Sequence, residues 1–179
     1  MITPNEYRTV LFLAPQDIKE TTIIGEEVNE NVIRSAVCTV QDVDLQKTIG
    51  SNLLRRLQEL VGTDDIRDAQ YEPYKVLLDE YIQPYMQAAV VAEIAYSLAY
   101  KFRNKGVIET YDTNVTNAAY NDIAKLIQKY KVDAAAYRDY LCKYLKANSS
   151  LYPELCGCSC SALEDSYRKP SAPCPFYLG

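Results

Sequence analysis

From Tyr74 onward the apolar residues fall at Tyr74, Leu78, Tyr81, Tyr85, Ala88, Ala92, Ala95, Ala99 and Phe102, in alternating steps of four and three. Only a helix brings such positions onto one stripe. A strand built on that spacing would scatter them over both faces. The pattern therefore predicts a long helix with a continuous seam. Large residues line its first half and alanines its second, so a neighbour approaches most closely there. Pro84 lies inside the pattern, removes one backbone hydrogen bond and predicts a bend. Asn104-Lys105-Gly106 closes the helix, and a polar loop runs to about Asn114.

A second periodic segment carries Ala119, Ile123, Leu126, Tyr130, Ala134, Tyr137, Leu141 and Tyr144, with a break expected near Val132-Asp133. Two long helices joined by a short loop pack antiparallel. Shorter helices precede them. Asn29 is the expected N-cap of the first, with Ile33, Ala36, Val40 and Val43 on one face and Gly50 as its left-handed C-cap. Ser51 is the expected cap of the next, whose stripe is Leu53, Leu57 and Leu60 and whose end is Gly62. At the N-terminus, Pro4-Asn5-Glu6 opens a short helix through Leu13 that Pro15 stops, and Thr21-Thr22-Ile23-Ile24 reads as extended. After Ala147 the prolines forbid long helices. The fold expected is mainly α: a helical bundle on a long antiparallel helical hairpin, with shorter N-terminal helices and an extended C-terminal tail. Its parts are an N-terminal arm (1–28), a helical domain (29–147) and a Cys/Pro-rich tail (148–179). Strand signal is slight.

Composition narrows function mainly by what is missing. The chain has no histidine, the commonest general base and metal ligand. It has no tryptophan but 16 tyrosines, whose rings suit core edges and protein interfaces equally. A net charge of −5 gives no global pull toward nucleic-acid phosphates or anionic membranes. The N-terminus lacks the layout of a signal peptide, and the run Ala88–Ala92 is far too short to span a bilayer. A cytoplasm-like compartment is expected, at least until assembly.

Cys156, Cys158, Cys160 and Cys174 are the sharpest local cluster. Four thiolates suit tetrahedral zinc, but one-residue gaps give awkward bite angles, so free thiols in a reducing cell are the better reading. No metal or other cofactor is expected. Cys38 and Cys142 fall in helices and read as small apolar packing residues. The carboxylate pairs Glu26/Glu27, Asp42/Asp44 and Asp64/Asp65 read as solvated charge rather than an acid–base site. No phosphate-binding glycine loop or nucleophile elbow is present. Lys125, Lys129, Lys131, Arg138, Lys143 and Lys146 make the last helix locally basic, yet they alternate with Asp122, Asp133 and Asp139 as a solvated face. The end of the chain, with Tyr167, Phe176, Tyr177 and Leu178, is too apolar for a free tail and is expected to make assembly contacts. Deleting residues 170–179 should impair assembly more than folding. No catalytic residue is expected.

The run Val40-Gln41-Asp42-Val43-Asp44-Leu45-Gln46-Lys47-Thr48-Ile49-Gly50-Ser51-Asn52-Leu53-Leu54-Arg55-Arg56-Leu57 resembles the "QD…LG..L…L" segment of head-to-tail connector proteins of tailed bacteriophages. Tyr74-Lys75-Val76-Leu77-Leu78-Asp79-Glu80-Tyr81-Ile82-Gln83-Pro84 resembles the stretch that follows it there, an L-x-x-Y-I-x-P-like helix start. The likeness is greatest to the ring, or adaptor, proteins of crAss-like phages, and covers roughly residues 29–147. Those motifs are helix ends and seams rather than chemistry. The resemblance implies a non-enzymatic virion protein of the phage neck, assembled in the host cytoplasm as a dodecameric ring. Its partners would be its own copies, the portal protein and adjacent ring or tail proteins, with DNA passing through the lumen unbound. The alternative from the residues alone is a non-viral helical interaction module with a cysteine-rich, zinc-binding tail.

Overall fold

A computed structural model describes residues 10–103, 106–109 and 120–155, with side chains given for 10–98 and 124–155. The described chain is mainly helical. It is built on a pair of long helices: α6 (Gln83–Ala99) and α7 (Tyr120–Ala147). They run antiparallel. Tyr81, just before α6, stacks on Tyr144 near the end of α7, while Glu93 and Tyr96, later in α6, share a groove with Lys131 in the first half of α7.

The helices before this pair are α1 (Pro15–Thr21), α2 (Glu30–Thr39), α3 (Gln46–Ile49), α4 (Ser51–Gly62) and α5 (Glu72–Val76). Asn29 caps α2 as expected, its side chain accepting from the Asn31 amide at 2.8 Å. Leu53, Leu57 and Leu60 on α4 are all buried. Each fully buried leucine contributes about 2 kcal/mol relative to exposure, which is why so short a helix holds its place.

Two wide π-helical turns interrupt the α geometry. The second, Leu77–Ile82, joins α5 to α6, and the Gln83 amide donates to the Leu78 carbonyl five residues back. Pro84 follows at once. A proline ring collides with the carbonyl of the preceding turn, and widening that turn relieves the clash without ending the helix. The first, Val40–Leu45, joins α2 to α3. It moves the buried face onto Gln41, Leu45 and Ile49, and leaves Val43 exposed rather than in the seam.

Other local expectations are corrected. Pro15 starts α1 instead of stopping a helix, and the Ala14 amide is taken up by the Asp17 carboxylate at 3.1 Å. Thr21 is helical, and only at Thr22 does the backbone become extended. Gly50 has φ 85° and ψ 157°, an extended backbone of positive φ rather than a left-handed cap, and it precedes α4 in place of Ser51. Gly62 lies within α4, and the left-handed residue beyond it is Asp64. α7 runs unbroken through Val132-Asp133.

After Ala99 the chain forms an antiparallel hairpin, β1 (Tyr100–Arg103) with β2 (Gly106–Glu109), pairing Phe102 with Val107. Phe102 therefore leaves the helical seam. The β-branched Val107-Ile108 is a good strand sequence, and pairing gives its backbone groups partners that a loop would not.

The core reaches past both ends of the expected domain. Leu13 and Ile18 are buried, although residues 1–28 read as an arm. Gln41, 1% exposed, accepts from the Phe12 amide at 3.1 Å and donates to the Val10 carbonyl at 2.9 Å. It fixes the incoming chain to the first π turn. Gln41→Ala would leave both backbone groups without a partner, and should cost about 1–3 kcal/mol in a urea unfolding curve. At the other end, residues 148–155 form 3-10 turns over Ser149–Leu151 and Pro153–Leu155 and fold back on the bundle instead of trailing as a tail.

Candidate functional site: the outer face of α7, its flanking groove and a tyrosine clasp

Periodicity sorts the side chains of α7. Ala134, Leu141, Cys142 and Leu145 are buried against the rest of the bundle. On the opposite side, Val132 and Tyr140 are each 57% exposed, with exposed Ala136 midway between them. Steps of four place these three on one stripe. Lys143 lies over the Tyr140 ring at 5.8 Å and Lys129 over Tyr130 at 5.2 Å. Cationic heads beside half-covered rings are the composition of an interface margin.

Beside α7 runs a groove of about 670 Å³, floored by Val40, Ala89, Ala92 and Ala134 and edged by Lys131 and Arg138. Tyr85 closes its base. Burial, then the nearby Asp44 carboxylate, pushes the Tyr85 hydroxyl up to about 12. Cys142 stands in the wall of this groove, 4% exposed and disulfide-bonded, whereas Cys38 is free. Cys142 is thus more than the simple packing residue its helix position suggests.

At the far end of α7 the tyrosines gather. Tyr152, 1% exposed, donates from its hydroxyl to the Pro73 carbonyl at 2.8 Å, and the Tyr144 hydroxyl stands 3.2 Å away. Its ring meets Tyr74 edge-on at 5.4 Å, and Tyr74 meets Tyr71 likewise at 6.3 Å. The Tyr74 hydroxyl donates to the Glu154 carboxylate at 3.0 Å. Arg56 lies over Tyr71 at 5.3 Å, pairs with Glu59 at 3.4 Å and comes within 4.0 Å of Glu154. α4, α5, α7 and the turns after it are thereby clasped at one place. Sequence reading missed this clasp. The signal was Leu151-Tyr152-Pro153-Glu154-Leu155, a run too apolar to trail in solvent.

Burial and then the Glu154 carboxylate push Tyr74 up to about 12. Burial and then the Tyr144 hydroxyl raise Tyr152 further. A phenol with a raised folded-state pKa keeps its proton where the unfolded chain has lost it, so stability falls as pH climbs above the ordinary value near 10. Helix content should therefore hold to about pH 10 and be lost toward about 12, with the last part of the tyrosinate absorbance rising in step. Tyrosinate absorbance that reaches its full height before the helices melt would contradict the buried clasp.

The acidic pairs share no cleft. Glu26 pairs with Lys19 at 3.8 Å, Asp64 with Arg67 at 2.9 Å, and Asp65 accepts from Thr63 at 2.7 Å. Among the described residues no group of three or more histidine, cysteine or acidic side chains is placed to hold a metal ion. No helix among them is long and apolar enough to cross a membrane. Cys156, Cys158, Cys160, Cys174, Tyr167, Phe176, Tyr177 and Leu178 lie outside the described residues.

A family described as "Family of unknown function (DUF6712)" matches residues 45–163, the greater part of the chain. The chain belongs to this family. The DUF6712 match takes in α4, the long helix pair and every residue of the clasp, and it begins after the Gln41 anchor. No curated protein and no solved structure matches.

Proposed function

We propose that this DUF6712 protein is a non-enzymatic subunit of a ring in the phage neck, joining the portal to the tail and letting DNA pass. The observation that carries the reading is the solvent-side stripe of Val132, Ala136 and Tyr140 on α7. The described core is satisfied in its polar groups: no buried side-chain nitrogen or oxygen among the described residues lacks a hydrogen-bond partner. Apolar surface left outside such a core suits coverage by another protein.

Supporting it is the resemblance of the Val40–Leu57 and Tyr74–Pro84 runs to phage connectors. In this reading the partners are copies of the chain in a dodecamer, the portal protein, and the adjacent ring or tail proteins. The net charge of −5 lets DNA slide past instead of sticking. Light scattering on size-exclusion fractions, alone and mixed with a portal ring, tests the proposal. A ring that forms alone or on the portal is the expected result. A chain that stays monomeric in both would overturn it.

A further inference from the structure

We infer that neighbouring copies meet by seating the turn at Ile23 of one in the groove beside α7 of the next. The inference rests on the ring reading and names its contact. Hydrogen bonds hold this turn, between α1 and α2, in shape. The Thr22 hydroxyl donates to the Ile18 carbonyl at 2.6 Å and accepts from the Ile24 amide at 3.2 Å. The Lys19 ammonium, on a side chain 7% exposed, donates to the Glu26 carbonyl at 3.0 Å. Ile24 is buried, while Ile23 is left 60% exposed on the fixed loop. An apolar side chain already held in place loses little conformational entropy when it docks.

Charge matches the two surfaces. Between residues 17 and 30, exposed Asp17, Glu20, Glu26, Glu27 and Glu30 stand against Lys19 alone. The groove has an apolar floor, and Tyr96 in its wall is 57% exposed. Its edge carries Lys47, Lys131 and Arg138 against Asp44 and Glu93. An apolar tip among carboxylates thus complements an apolar floor edged mainly by cations.

Position fits a ring. Ala88 and Val91 of α6 and Asp133 and Tyr137 of α7 line the hollow beside Ile23. Ala89 and Glu93 of α6 and Ala135 and Arg138 of α7 line the groove. One residue turns a helix by about 100°, so the two sets lie on opposite flanks of the α6–α7 pair. A head-to-tail ring needs two unlike surfaces facing apart, whereas a two-fold dimer needs one surface that matches itself. The acidic turn would repel its own copy. The stripe of Val132, Ala136 and Tyr140 runs between the two flanks, so the contact extends onto it.

A photo-cross-link tests the contact. The full chain, with benzoylphenylalanine in place of Ile23, is mixed with isotope-labelled native chain, alone and with the portal ring, then irradiated and mapped by mass spectrometry. The expected adduct joins position 23 to labelled residues lining the groove, and the reciprocal probe in place of Ala135 reaches labelled residues 20–27. Chains that associate but give adducts within the acidic turn, on the portal only, or nowhere overturn the inference and leave the ring reading standing. A chain that stays monomeric in both mixtures overturns the two together. Charge reversal gives a second measurement. Lys131→Glu/Arg138→Glu, at two exposed positions, should weaken self-association about tenfold, and adding Glu20→Lys/Glu27→Lys should restore most of it. A combined variant no tighter than the first would also overturn the inference.

Discussion

Tyr152→Ala is expected to lower the unfolding free energy by about 3–5 kcal/mol, the range seen when a buried aromatic ring is cut back to a methyl group. For a chain of this size that moves the melting temperature by on the order of 10 °C. The ring, 1% exposed, fills the space between Tyr74 and Tyr144. Tyr152→Phe separates packing from hydrogen bonding. The Pro73 carbonyl also accepts from the Leu77 amide, so losing the hydroxyl does not orphan it, and the cost should stay near about 1 kcal/mol. Paired thermal melts decide the matter. If alanine costs no more than phenylalanine, the turns after α7 are not clasped to the bundle.

The second large effect belongs to assembly. Val132→Glu/Tyr140→Glu places two charges on the outer stripe of α7. Both positions are 57% exposed, so the melting curve should barely move. Self-association should weaken by more than about 30-fold, since an interface tyrosine at a hot spot is worth about 2 kcal/mol or more and a desolvated carboxylate adds its own penalty. Sedimentation across a concentration series reads this directly. Association that persists unchanged would move the contact surface off α7.

Much of the fold was legible because it rests on spacing. The four–three alternation from Tyr74 to Ala99, the Leu53–Leu57–Leu60 stripe and the Asn29 cap follow from side-chain direction and backbone hydrogen-bonding demands that act within one or two turns. What escaped lies in non-local contacts. A proline suits the first turn of a helix as well as the end of one, and burial of Phe12 and Leu13 beside α1 settles Pro15 as a start. A π turn adds one residue to a turn and leaves no residue signature. Val43 and Gln41 therefore exchanged the roles their types suggest, the valine facing water and the glutamine the core. The clasp joins Pro73 to Tyr152, 79 residues apart, and no local pattern encodes such a pairing. The packed seam of α7 was visible in the period at Ala134, Leu141 and Tyr144, whereas Tyr137 is 42% exposed, and the outward stripe needed the direction in which α7 faces its neighbours. Its breadth reflects how few core contacts the middle of α7 makes, with Ala134 the one buried position between Tyr130 and Leu141.

The two ends of the described chain close on one rod. The Phe12 carbonyl accepts from Gln83 at 3.4 Å, and Tyr152 locks onto Pro73 a few turns earlier in the same continuous helix. During synthesis the first latch becomes available as soon as Gln83 leaves the ribosome, while the second waits for Tyr152. A nascent polypeptide therefore carries an unlatched α5 from the time that helix emerges until Tyr152 follows it, and a ribosome stalled just short of that tyrosine holds a bundle that is almost whole and still easy to prise open.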